Sequence, residues 1–226
     1  MSDIQGISFT WRCAAAAATA LCLWMGAGPA AAQAPSHPAV NAQLLVGARQ
    51  ADLALVERSL AQGAAPNSRN RLGKTPLLIV SEKGQMAIAE QLLKAGADVN
   101  LASLEGVTPL MAACYGGHTA LVQRLLQAGA RSEATDRMNK PAIVYAAGQG
   151  HAGVLDALIA GGVDVNAPHE HGLTALMWAA GQGQVDAVRL LLQRGARTDA
   201  RDDRGMTSLD IARQAGHASV AALLEH

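Results

Sequence analysis

Several side chains in this sequence have types and spacings that could carry chemistry. His118, His151 and His217 stand 33 and 66 residues apart, and imidazoles gathered at one point would bind a transition metal. His169-Glu170-His171 packs two imidazoles and a carboxylate into one short segment. Asp98 and Asp164 are candidates for a paired acid and base. Gly73-Lys74-Thr75 imitates the end of a phosphate-binding loop, and Cys114 is a candidate nucleophile.

What these groups can do depends on the elements that hold them, and those elements repeat. Thr75-Pro76-Leu77 recurs as Thr108-Pro109-Leu110 and, more weakly, as Pro141-Ala142-Ile143, Thr174-Ala175-Leu176 and Thr207-Ser208-Leu209, always at 33 residues. The same interval links Gly63, Gly96, Gly129, Gly162 and Gly195, and also Gly84, Gly117, Gly150, Gly183 and Gly216. Thr followed by Pro starts a helix, because the hydroxyl caps free amides and proline at the first helical position loses no hydrogen bond. A glycine pair turns the chain into a second helix with apolar residues at helical spacing, such as Leu121, Val122, Leu125 and Leu126. The glycine after it supplies a left-handed C-terminal position. One such pair cannot bury its apolar stripe alone, so copies must stack into a solenoid.

Composition agrees. Half of the residues are apolar but only Trp 3, Tyr 2 and Phe 1 are aromatic, a mixture suited to short, closely packed helices. Eighteen basic residues offset 18 acidic ones, leaving no global field to attract nucleic acid or an anionic membrane. The first 34 residues differ from the rest. A polar start ending in Arg12 leads into an apolar run from Cys13 to Ala27, then Gly28-Pro29 and Ala30-Ala31-Ala32, the layout of a secretory signal peptide. Residues 1–32 are therefore expected to be a leader cut after Ala32, residues 33–40 a disordered linker, and residues 41–226 the repeat domain. The alternative is an uncleaved membrane anchor, although the run is shorter than the roughly 20 residues of a full span. Cleavage would remove Cys13 and Cys22 and leave Cys114 without a disulfide partner.

Thr108-Pro109-Leu110-Met111-Ala112-Ala113, Gly117-His118, Leu125-Leu126-Gln127-Ala128-Gly129-Ala130 and Gly96-Ala97-Asp98-Val99-Asn100 resemble the ankyrin repeat over residues 41–226. The resemblance implies an all-α ankyrin-repeat solenoid of about six 33-residue helix-turn-helix units including caps, with projecting β-hairpin loops. It also implies a non-catalytic scaffold that recognises a protein through loop tips and the concave helix face. Some bacterial members support oxidative-stress enzymes such as catalase, which suggests a stress-defence enzyme as partner and a Gram-negative periplasm as location, or the inner membrane if the leader is retained. The family's usual His after Thr-Pro-Leu is replaced by Leu78, Met111, Val144, Met177 and Asp210, so apolar packing is expected to take over from its hydrogen bonds between repeats.

Stacking also disposes of most of the chemistry. Equivalent residues of adjacent repeats lie about 10 Å apart, whereas zinc ligands lie about 2 Å from the metal. His118, His151 and His217 then read as helix-start residues, and Asp98 and Asp164 as turn residues. Ser68 stands where a phosphate loop needs its leading glycine, so Gly73-Lys74-Thr75 reads as turn plus helix cap. Cys114 falls at the tightly packed small position of Ala147 and Ala180. No cofactor, metal, nucleic acid or small-molecule substrate is expected, and the chain is expected to be monomeric. A metal-binding or enzymatic alternative would rest on His169 and His171.

Two surfaces remain as candidates for a protein partner. Tyr145 and Trp178 occupy one repeat position on the first helix, and Tyr115 lies three residues further along the equivalent helix, facing the same way. Tyr and Trp dominate many interfaces; the competing reading is that Tyr145 and Trp178 only fill the crevice between helices. Glu82, Lys83, Gln149 and Gln182 would form a polar rim. The loop tips, represented by Arg71, Glu105, Arg137, Glu170, His171 and Arg204, vary in charge from repeat to repeat.

Overall fold

The computed structural model describes residues 38–225. The expected leader, its cut after Ala32 and residues 33–37 of the expected linker lie outside the described residues. Among the described residues, twelve α-helices form six consecutive pairs: α1 (Pro38–Gln50) with α2 (Leu53–Ala61), α3 (Pro76–Glu82) with α4 (Met86–Lys94), α5 (Pro109–Tyr115) with α6 (Thr119–Gln127), α7 (Ala142–Gln149) with α8 (Ala152–Ala160), α9 (Ala175–Gly181) with α10 (Val185–Gln193), and α11 (Ser208–Gln214) with α12 (Ala218–Leu224). The first helix starts at Pro38, three residues ahead of the expected boundary, as a proline at the first helical position permits. No described helix is long and apolar enough to cross a membrane.

The odd-numbered helices stack on one another as an inner row, and α6, α8, α10 and α12 pack in sequence on the outer side. Each inner helix from α3 to α9 is covered by its own outer helix and by inner helices on either side. This is why six consecutive residues are buried in α3 (Pro76–Ser81) and in α5 (Pro109–Cys114). Ala146, Ala147, Ala179, Ala180 and Cys114 are fully buried; their small side chains let backbones approach closely. Burial pushes the Cys114 thiol far above its ordinary pKa, so it is a packing group. Outer helices bury one stripe only: Leu121, Val122 and Leu125 in α6, and Ala187, Val188 and Leu191 in α10.

Thr75, Thr108, Thr174 and Thr207 cap the inner helices, each hydroxyl accepting from an amide three residues on at 3.2–3.3 Å. Pro141 takes this place before α7 and gives no side-chain cap. Leu78, Met111, Val144 and Met177 are buried, as expected of apolar replacements for the family His. The expectation that packing alone ties the repeats is nevertheless incomplete. His118, His151 and His217 make no cap at the start of the outer helices. Their Nε2 atoms lie 3.3, 2.9 and 3.1 Å from the carbonyls of Glu82, Tyr115 and Gly181 in the preceding repeat. Gln184 donates in the same way to the Gly148 carbonyl at 3.0 Å. These side chains are therefore tethers between repeats.

The expected β-hairpin loops are tight turns: the described residues contain no named strand, only an isolated bridge between Thr135 and Pro141. Five loops, L1 (70–74), L2 (103–107), L3 (136–140), L4 (169–173) and L5 (202–206), are each closed by a backbone hydrogen bond of 2.9–3.2 Å from the amide of the first residue to the carbonyl of the fifth, with a second of 2.8–3.1 Å from the amide of the fourth to the carbonyl of the first. Turn side chains take further amides. Asn70, Asp136 and Asp202 each accept from two amides of their own turn.

The tethers can be separated from backbone strain by two glycines. Gly117 and Gly129 both have positive φ, +73° and +87°, but a Cβ on Gly117 would stand 2.7 Å from the His151 ring while one on Gly129 meets nothing within 4 Å. Gly129→Ala is expected to lose about 1–2 kcal/mol from the left-handed backbone alone. Gly117→Ala is expected to lose about 1 kcal/mol more, because the imidazole must leave the Tyr115 carbonyl. Urea unfolding reads both, and equal losses would show that the tether contributes nothing.

Candidate functional site

Three consecutive inner helices place their aromatic residues side by side. The Tyr115 and Tyr145 ring centroids are 6.2 Å apart with the planes at 76°, an edge-to-face pair. The Lys140 ammonium, from L3, lies 4.7 Å from the centroid of Trp178, within cation–π range. Tyr115, Tyr145 and Trp178 line an open groove of about 230 Å³ together with Gln149, Gln182 and Lys140. A second groove of about 350 Å³, lined by Glu82, Val107, Met111, Tyr115 and Tyr145, continues from it across the Tyr115–Tyr145 pair. Tyr115 is 56% exposed. Tyr145 and Trp178 are half-buried and also pack against the core, so the crevice-filling and surface readings of these two residues both describe part of each ring.

Tyr145 is held from behind. Its hydroxyl donates to Asp136 Oδ2, while Asp136 Oδ1 accepts from the amides of Met138 (2.8 Å) and Lys140 (2.9 Å). One buried carboxylate thus fixes the turn of L3 and the angle of a groove-lining ring. Asn139 takes φ +52° within this turn, where most other loops use glycine.

The sequence-expected residues divide into three groups. Tyr115, Tyr145, Gln149, Trp178 and Gln182 come together in one groove, and Glu82 joins Tyr115 and Tyr145 in the next. Glu82 pairs with Lys74, and Lys83 donates to the Arg49 carbonyl, so part of the expected rim is engaged within the chain. The tips are also cross-linked: Arg137 lies 3.6 Å from Glu105, His171 lies 3.9 Å from Glu170 and 3.7 Å from Asp203, and Arg204 lies 2.7 Å from Asp202. Arg71 is exposed. Lys140, Val107 and Met111 were not legible as site residues, and Asp136 was legible only as part of a loop tip. The 33-residue frame aligns Lys140 with Lys74 and Asp136 with Asn70, a signal for a turn but not for an aromatic partner. Exposed Leu72, Leu104 and Met138 add apolar surface at successive tips.

The other apparent motifs are structural. Gly73, at φ +71°, forms the turn of L1, Lys74 pairs with Glu82, and Thr75 caps α3. Among the described residues no group of three or more His, Cys, Asp or Glu is arranged to hold a metal ion. Burial lowers the His169 pKa.

Burial, then the hydrogen bond from Tyr145 to Asp136, then the Asp136 charge push the Tyr145 phenol well above its ordinary value. Because the folded value is raised, this contribution to stability is intact below about pH 10, the unfolded phenol's value, and is lost as pH rises beyond it. Asp136→Asn keeps an acceptor for the turn but removes the charge. The midpoint is expected to fall toward the ordinary range while staying above it, because burial persists. Absorbance titration of the two tyrosines measures this; an unmoved midpoint would remove Asp136 as a cause.

A family model described as ankyrin repeats (3 copies) matches residues 44–136 and 143–226. No curated protein matches the chain. The two matched segments part at L3, where Asn139 and Pro141 replace the usual glycine and threonine. Ankyrin repeats are typically non-enzymatic modules for binding proteins. With six stacked helix pairs and a family match over most of its length, this chain belongs to the ankyrin-repeat family.

Proposed function

We propose that this chain is an exported scaffold that binds one protein partner across Tyr115, Tyr145 and Trp178, with the loop tips as rim. One observation carries the reading: the three aromatic residues of the repeat domain, drawn from three different units, line two continuous open grooves on one face. A core needing bulk has no reason to gather every aromatic ring at the surface of its central repeats. Such rings contribute large area at low entropic cost in interfaces, and Gln149 and Gln182 supply exposed amides beside them.

The apolar run before Gly28-Pro29 supports export to a bacterial periplasm, with a retained inner-membrane anchor as the competing location. The ankyrin resemblance supports a stress-defence enzyme as partner.

Trp178→Ala combined with Tyr145→Ala is expected to abolish capture of a protein partner from a periplasmic extract of the native host, with the helical circular dichroism unchanged. Capture at the unmodified level would refute the surface assignment. The intact mass of the native protein is expected to correspond to a chain starting at Gln33; a full-length mass would favour the anchored form.

A further inference from the structure

The loop side of the stack is closed by two hydrogen-bond devices. The first is an asparagine bridge. Asn67 Oδ1 accepts from the Asp98 amide (2.8 Å) while its Nδ2 donates to the Gly96 carbonyl (3.5 Å). Asn100 does the same with Arg131 (2.9 Å) and Gly129 (3.1 Å), and Asn166 with Arg197 (2.8 Å) and Gly195 (3.1 Å). The second device joins neighbouring tips through the backbone: Leu104 N to Leu72 O (3.0 Å), Arg137 N to Glu105 O (3.1 Å) and Asp203 N to His171 O (3.0 Å).

Both devices stop at the step between L3 and L4. The asparagine position is Glu133 there, and a carboxylate cannot donate to a carbonyl. Among the described residues, nothing pairs with the Asp164 amide or the Gly162 carbonyl, the two groups equivalent to those bridged in the other steps. The tip bond is missing too, and L4 contains a short 3-10 turn at Glu170–Gly172 with His171 at φ +59°. A groove of about 410 Å³ lies along this seam, with Glu133, Thr135 and Ile143 on one wall and Val163, Asp164 and His169 on the other. His169 Nε2 is shielded and without a partner among the described residues. Neither Glu133 nor Asp164 has a cationic partner within ion-pair distance among the described residues.

We propose that this seam is a second interaction site, one that takes an Asn or Gln side chain from a partner segment with a Lys or Arg beside it. The chain itself supplies the template. A carboxamide bridges the same pair of backbone groups at three other steps, with its oxygen on the amide and its nitrogen on the carbonyl. The neighbouring cation answers the carboxylates of Glu133 and Asp164, which have no ion-pair partner among the described residues, although Asp164 Oδ1 accepts from the Asn166 amide (2.9 Å). A carboxylate in place of the carboxamide would lack the donor and would meet two like charges.

The test uses the repeat domain as part of the full chain, with the peptides acetyl-Gly-Asn-Lys-Gly-amide and acetyl-Gly-Asp-Lys-Gly-amide as probes. In the unmodified protein the Asp164 amide is expected to exchange with deuterium about tenfold faster than those of Asp98, Arg131 and Arg197, the worth of about one hydrogen bond. Titration with the Asn peptide is expected to shift the Asp164 amide resonance, and the Asp peptide is not. Glu133→Asn supplies the bridge internally, so it is expected to protect the Asp164 amide and abolish the response to the Asn peptide. Three results would each overturn the proposal: protection of Asp164 in the unmodified protein, equal responses to the two peptides, or a response that survives in Glu133→Asn. Failure of the aromatic groove to capture a partner is read separately, at Tyr145 and Trp178, and leaves this outcome unaffected.

Discussion

A seven-residue helix cannot hold itself together in water, since nucleation is costly and few internal bonds follow it. Inner helices α3, α5, α9 and α11 are all of this length; α3, α5 and α9 exist because inner neighbours cover them from both sides, while α11, covered by α9 and α12 alone, buries only Ser208 and Ala212. Burial between adjacent units is thus the term on which the architecture depends, and it fixes the frame. An insertion inside a unit would displace an inner helix from the apolar surfaces of both neighbours. The unbroken 33-residue interval is the sequence-level form of that requirement.

Burial is not directional, and it would permit neighbouring units to slide. Register comes from hydrogen bonds whose donor and acceptor lie in successive units: His or Gln from the start of an outer helix to the end of the preceding inner helix, Asn across the loop side, and backbone between tips. Each is modest alone, on the order of 1 kcal/mol. Repetition makes them decisive, because several bonds must break together for one unit to shift against the next. The ends of inner helices are thereby satisfied together with the left-handed glycines that follow α3, α5, α7, α9 and α11, and the imidazoles of His118, His151 and His217 are used up in structure.

Much of this was legible in the sequence. The period, the Thr caps, the left-handed glycines and the apolar stripes each follow from a local rule, and those rules agree along the chain. The placement of Tyr115, Tyr145 and Trp178 on one face was also legible, because helical spacing within a unit and equivalence between units are both simple arithmetic. Bonds between units were not. His118 reads locally as a helix-start residue, and only the stacked geometry brings its ring to the Glu82 carbonyl. The same holds for Lys140, whose position over Trp178 depends on how the L3 turn is closed. The expected loops are present at all five steps but carry no named strand among the described residues, and in three of them Asn70, Asp136 and Asp202 accept amides of their own turn.

In a repeat protein, departures from the period carry the information that repetition cannot. L3 and its surroundings concentrate them: Glu133 for asparagine, Asn139 for glycine, Pro141 for threonine, and Tyr145 with a carboxylate behind it. Asp136 binds L3 to the inner row through Tyr145, and the Arg137 amide binds it to L2, while nothing among the described residues ties its tip to L4. One wall of the seam is therefore held in place by bonds on its far side. A loop anchored in this way keeps its polar groups aligned along an unclosed edge without support from the neighbour across the groove. The aromatic face and the loop seam thus share a single loop, and the asymmetry of its attachments distinguishes this step from the others in the stack.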